Sequence, residues 1–231
     1  MKKILQKIFI GDYQAELFEP QNAFLRQIDI IKSVWKNENY YAFGVERVFR
    51  LLLAVVQLFM PVMLVKVTFG ALGFLSKKLA VEAYVLLKAI FPILLLKFNF
   101  FQYRICVFIC VIFIIETVFY LLYLVFLSDQ ISNQGSYKRS LLFLFLNYIE
   151  IALCFAAIYA YLNHYNYFST VKPFASKTAI IYYSFVTAAS IGYGDYSPNT
   201  NIGQILVIFQ SLIFFLYLAI ILNFFHSRSQ V

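Results

Sequence analysis

The sequence predicts an all-α integral membrane protein, and three observations carry that prediction. Hydrophobic residues fill 62% of the 231 positions and charged residues only 13%, against roughly 45–50% and about 25% in soluble domains. Apolar runs of helix length follow one another, separated by short polar or charged breaks. Near the C-terminal end, a short apolar segment leads into Ser190-Ile191-Gly192-Tyr193-Gly194-Asp195 and then into a full-length apolar run. A soluble protein with 27 Phe and 18 Tyr would need a core larger than this length encloses. The net charge of +8 does not indicate nucleic acid, because no compact basic patch with interleaved polar readers is present. Basic residues instead sit at the ends of apolar segments, as membrane flanks do. Lipid is the expected partner.

Residues 1–47 mix basic and acidic side chains with Ile4, Phe9, Leu17, Phe24 and Leu25, which predicts an amphipathic, membrane-surface or partner-binding segment. Met1-Lys2-Lys3-Ile4-Leu5 begins like a secretory leader, but Lys7 and Asp12 break the apolar run, so no cleavage is expected. An N-terminal transmembrane region follows over 48–127. Within it, Leu51–Leu75 is interrupted by Pro61 and Lys66, and Leu79–Phe98 carries Glu82 and Lys88. Tyr103–Leu127 would reach about 37 Å as a helix, enough to cross a ~30 Å hydrocarbon core with some tilt. Ser140–Leu162 and Ile202–Phe225 are two more spans. The linker 128–139 ends in Lys138 and Arg139, which the positive-inside rule favours on the cytoplasmic side, the side that the family resemblance given below implies. Four spans are expected, with one interrupted segment lying at the interface or re-entering; five result if both cross.

Gly192 and Gly194 can adopt the positive-φ conformations that other residues resist. Alternating left- and right-handed residues can turn successive carbonyl oxygens toward one axis. The Ser190–Asp195 string, with the half-length helix Ala179–Ala189 before it and the Ile202–Phe225 helix after it, resembles the pore domain of the potassium-channel family in its two-helix, prokaryotic-type form. That resemblance implies a helix–pore helix–filter–helix module over 140–225, with Ser140–Leu162 as outer helix and Ile202–Phe225 as inner helix. It implies that the backbone carbonyls of Ser190, Ile191, Gly192 and Tyr193 replace the hydration shell of K+, with the Ser190 hydroxyl adding the innermost ring. The family usually has threonine at Ser190; serine keeps the oxygen and loses the methyl that restricts its rotamer. Ile191 in place of the usual valine is conservative.

The same resemblance assigns filter support to Tyr182, Tyr183, Thr187, Gly194 and Asp195. Tyr182 and Tyr183 would form an aromatic collar around Tyr193, and Tyr182 would tie Asp195 by a hydrogen bond. Val186 stands where some members place a glutamate. Asp195 would concentrate cations at the mouth, and the pore helix would aim its negative C-terminal end at the cavity. One pore loop per chain implies a homotetramer. With the filter facing outside, residues 163–201 are external and the tail 226–231 is cytoplasmic, in a cell membrane of plasma or bacterial inner type. No covalent chemistry and no cofactor is expected, K+ being the permeant ion. The alternatives are a weakly selective cation channel, or a non-conducting scaffold or regulatory subunit that retains a pore loop.

The gating stimulus is not written in the chain. A voltage sensor needs Arg or Lys at every third position of a membrane helix, whereas Tyr103–Leu127 holds only Arg104 and Leu79–Phe98 only Lys88 and Lys97. No ligand-binding domain is expected in the tail from His226. Phe214 and Phe215 occupy the part of the inner helix where many relatives have a glycine hinge. Glu116 and Glu150 fall near the middle of their helices, where an unpaired charge is costly. Lys88 is a candidate partner for Glu116; Glu150 is either protonated or faces water. Cys106, Cys110 and Cys154 lie in apolar runs and are expected to pack as small hydrophobes. His164 and His226 show no metal-ligand grouping.

Overall fold

The computed structural model describes residues 22–37, 41–71, 73–130 and 137–229, and every regular element among them is a helix. Residues 1–21 and 38–40 of the expected 1–47 surface segment lie outside the described residues. The elements are α1 (Ala23–Lys36), α2 (Gly44–Phe59), α3 (Pro61–Gly70), α4 (Phe74–Lys97), α5 (Arg104–Phe126), α6 (Tyr137–His164), α7 (Lys177–Ala188) and α8 (Asn201–Ser229), with short 3₁₀ turns at Phe100–Gln102 and Ser128–Gln130.

Four stretches are long and apolar enough to cross a membrane: Ser76–Lys97, Arg104–Phe126, Leu141–His164 and Asn201–Leu222. The two interrupted segments differ: 79–98 lies in one of these four helices, whereas 44–70 passes the same test only as a bent pair, which as one span would make five. The 79–98 run is one continuous helix despite Glu82, Lys88 and Pro92. The 51–75 run breaks at Met60, where α2 and α3 meet at 61°. Proline supplies no N–H and restarts a helix at its first position, so Pro61 opens α3 rather than extending α2. Pro92 has neighbours on several sides and is almost fully buried, which lets α4 pass through it.

The N-terminal pair forms a lid on one end of the bundle. Asn22 caps α1 by accepting from the Phe24 N–H at 3.1 Å, and left-handed Asn37 ends it. Gln27 then donates to the Ala54 carbonyl at 2.8 Å, joining α1 to α2. Val34, Leu53 and Ala54 pack with Tyr123 and Leu127 at the end of α5. At the opposite end, Tyr165 donates to the Gln102 carbonyl at 3.1 Å and Lys177 to the Lys97 carbonyl at 3.3 Å. The α4–α5 turn, the end of α6 and the start of α7 therefore share one face of the bundle.

α6 is the most buried of the four spans and α8 the least. Ala152, Ala156, Ala157 and Ala160 are all buried on α6; small side chains let neighbouring helices approach closely in lipid. α6 begins at Tyr137, so the last residues of the expected 128–139 linker are helical, and α8 runs past Phe225 to Ser229. Cys106, Cys110 and Cys154 are free, with Cys110 and Cys154 buried against one another between α5 and α6.

Candidate functional site

The site is built on α7, whose 12 residues span about 18 Å and so cannot cross the bilayer. Ser176 starts the helix, its hydroxyl accepting from the Ala179 N–H at 3.2 Å. Its C-terminal end is a Schellman motif. Ser190 N–H donates to the Thr187 carbonyl at 3.0 Å and Ile191 N–H to the Val186 carbonyl at 3.0 Å, with Ser190 itself left-handed at φ 51. Glycine is the usual residue at such a cap, so serine here carries a local conformational cost.

The left-handed conformation then recurs at every second residue. Gly192 has φ 62 and Gly194 φ 81, while Ile191 and Tyr193 between them stay at negative φ. Among the described residues, none of the carbonyls of Ser190, Ile191, Gly192 and Tyr193 accepts a backbone hydrogen bond. All four residues, together with Gly194 and Asp195, are exposed on the single chain. Exposed carbonyls without a protein partner are open to water or to a cation.

Tyr182 and Tyr193 lie with parallel rings 6.4 Å apart, and Tyr182 also meets Tyr196 edge-on at 6.4 Å. The Tyr182 phenol is held above its ordinary range by desolvation first, and then by the nearby Asp195 carboxylate. Tyr183 takes a different place from the expected collar. It turns to the other side of α7, buried among Tyr159, Phe168 and Phe174, because adjacent residues on a helix project about 100° apart. Among the described residues of one chain, Tyr182 is the ring that stands beside Tyr193.

The segment after the filter-like string is fixed to the loop before α7. Val171 N–H donates to the Ser197 carbonyl at 2.9 Å and Asn199 N–H to the Ser169 carbonyl at 3.1 Å, with Thr170 and Pro198 bridged between them. Phe168 is buried beneath this clasp and packs so closely on α8 that a Cβ at Gly203 would lie 2.5 Å from its ring. Thr187 contributes its carbonyl to the cap of α7.

A buried polar network behind α7 escaped sequence reasoning. Gln210 of α8 donates to the Ser184 carbonyl at 2.9 Å and to the Ser184 hydroxyl at 3.0 Å. Tyr159 of α6 donates to Gln210 Oε1 at 2.8 Å, and the Ser184 hydroxyl donates to the Ala152 carbonyl at 2.6 Å. Ser184, Tyr159 and Gln210 are at most 1% exposed, so the three helices around the site are pinned where no water competes. A glutamine in the middle of an apolar run was visible in the sequence. Its partners come from two other helices and were not.

The geometry defines a multi-pass α-helical membrane protein in which a half-length helix presents a loop of free carbonyls beside an apolar span. Residues 147–230, from the middle of α6 through α8, match the model of a protein family described as an ion channel. That match supports an ion-channel function for this part of the chain. No curated protein matches the chain, and no solved structure does.

Proposed function

We propose that the chain is a potassium-selective channel that conducts K+ passively through a filter formed by Ser190, Ile191, Gly192 and Tyr193 in a homotetramer. The observation that carries this reading is the run of four free carbonyls on a backbone whose handedness alternates at Ser190, Gly192 and Gly194. Opposite handedness at successive residues brings their carbonyls onto one side. Stacked around a four-fold axis, such oxygens stand in for the water that a K+ ion sheds. Tyr182, stacked beside Tyr193 and within electrostatic range of Asp195, would brace the strand from behind. The C-terminal end of α7 directs partial negative charge toward the cavity, and Asp195 raises local cation concentration.

Tetramer formation gives the open surfaces a partner. Ile191 is 53% and Tyr193 67% exposed on one chain. Ile205, Ile208, Phe209, Leu212 and Phe215 form an exposed stripe along α8, for neighbouring subunits and lipid to cover. The transport is passive, with no covalent step.

The test is ion flux into liposomes carrying the purified protein, comparing K+ and Rb+ with Na+. K+ and Rb+ flux well above Na+ supports the filter. Equal Na+ flux selects the weakly selective pore, the reading favoured by the rotamer freedom of Ser190. Absence of flux from an intact tetramer at every pH assigns the chain to the non-conducting class. Gly192→Asp should abolish K+ flux while leaving assembly intact; unchanged flux would exclude the proposed filter.

A further inference from the structure

Where the outer helix α6 packs on α4 and α5, the chain encloses an ionic cluster apart from the Ser190–Tyr193 string. Lys88 of α4 lies 3.2 Å from Glu116 Oε2 of α5 and 3.4 Å from Glu150 Oε1 of α6. Its ammonium also donates to Thr117 Oγ1 at 2.7 Å, and the Thr117 hydroxyl donates onward to Glu150 Oε2 at 3.0 Å. All four side chains are buried, Glu150 completely.

The two carboxylates are not equivalent. Glu116 accepts from the Val62 N–H at 2.6 Å and from the Tyr84 hydroxyl at 2.6 Å, besides its pairing with Lys88. The first of these is an orphan N–H in the opening turn of α3, where a negative charge is favoured. Glu116 is thus built to be an anion. Glu150 has the shared ammonium at longer range and one hydroxyl. One ammonium cannot neutralise two carboxylates, and an unbalanced charge in hydrocarbon is strongly disfavoured.

The other groups facing Glu150 do not supply the missing charge. From α5 and α6, Cys110 and Cys154 present thiols. From α4, Tyr84 presents a phenol already committed to Glu116. Lys66 of α3 faces Glu116 from a distance and pairs with neither carboxylate. From the inner helix α8, Tyr217 lies within electrostatic range of Glu150, with Tyr120 and Tyr148 beside it. The Tyr217 hydroxyl is buried with no hydrogen-bond partner among the described residues, a donor held near the carboxyl and unspent.

We propose that Glu150 is a proton-binding site inside the membrane, and that binding and release of this proton regulates the pore. With the proton bound, the cluster is neutral: Lys88 ammonium, Glu116 carboxylate, Glu150 carboxylic acid. Proton release leaves an anion on the outer helix, which draws Lys88 from Glu116 and recruits the Tyr217 hydroxyl of the inner helix. The contact of α4 and α5 with α6 and the setting of α8 then change together. The regulatory half rests on the channel reading; the proton site does not.

Two measurements separate these halves. Infrared difference spectra of the protein in lipid vesicles, taken across a pH titration, should show a protonated carboxyl C=O band that titrates as one group. It should vanish in Glu150→Gln and move to lower pH in Glu116→Gln, where Lys88 has a single carboxylate left to neutralise. Retention of the band in Glu150→Gln, or its absence from the unsubstituted protein, would overturn the site. In the flux assay, the unsubstituted protein should change its K+ flux across the same pH interval. Glu150→Gln, which mimics the protonated acid, should hold flux at the low-pH level throughout, with K+ over Na+ preference unchanged. An unaltered pH profile in that variant would overturn the regulation. If no K+ flux occurs at any pH while the infrared band behaves as stated, the channel reading fails and the proton site stands.

Discussion

Ser190 sits at φ 51, a conformation that costs a residue with a Cβ about 1–2 kcal/mol. Ser190→Gly should therefore raise stability by roughly 1 kcal/mol, read as increased thermal stability of the solubilised protein. It should also reduce discrimination of K+ over Na+ in the flux assay, because the innermost oxygen ring of the proposed filter would be lost. No gain in stability would show that the serine cap is unstrained. Two glycines give a matched contrast. At Gly192 an added Cβ meets nothing within 4 Å on the same chain, so Gly192→Ala should cost about 1–2 kcal/mol through its backbone alone while greatly reducing flux. At Gly203 the same methyl meets the Phe168 ring at 2.5 Å, and Gly203→Ala should cost about 1–3 kcal/mol by overpacking. Comparable denaturation curves for Gly203→Ala and the unsubstituted protein would contradict the close approach. The Gly-Tyr-Gly spacing was legible in the sequence because it reflects a backbone requirement. The need for Gly203 was not, because it comes from a ring thirty-five positions away.

Between helices, the decisive contacts are polar. Gln210 ties α8 to α7 and, through Tyr159, to α6. Gln210→Leu leaves the Ser184 carbonyl and the Tyr159 hydroxyl without these partners, at a cost of about 1–3 kcal/mol. Tyr159→Phe should cost less, and the double variant should fall short of the sum because both changes remove the same bond. A double-mutant cycle on thermal stability checks this; strict additivity would mean that the two side chains act independently. Flux selectivity should fall in Gln210→Leu as α7 loosens behind the filter. Element positions were largely readable from apolar run length and the prolines. The structure had to decide that Leu79–Phe98 is continuous, since the burial of Lys88 against two carboxylates depends on helices that follow it in the chain.

Across the whole molecule, a single subunit leaves its functional surface uncovered. α8 is the least buried span and Ser190–Asp195 are exposed, surfaces that the proposed tetramer would cover. Light scattering or native mass measurement should give four times the 26.9 kDa chain after subtraction of detergent and lipid. A monomeric mass for protein that still conducts K+ would exclude the tetrameric filter. The N-terminal helices α1 and α2 pack on the end of α5 away from the α4–α5 turn. They carry an exposed apolar rim at Trp35, Phe43 and Val45, suited to the membrane interface.

The sequence by itself determined the membrane class, the run of helices and the place of the Ser190–Asp195 string. These follow from composition, run length and backbone permissiveness, which are local properties. Only the tertiary structure decided that Tyr183 turns away from Tyr193, that Gln210 meets Ser184, and that Lys88 is shared between Glu116 and Glu150. Those pairings join residues from separate helices, and a helix's rotation about its axis is set by everything packed against it.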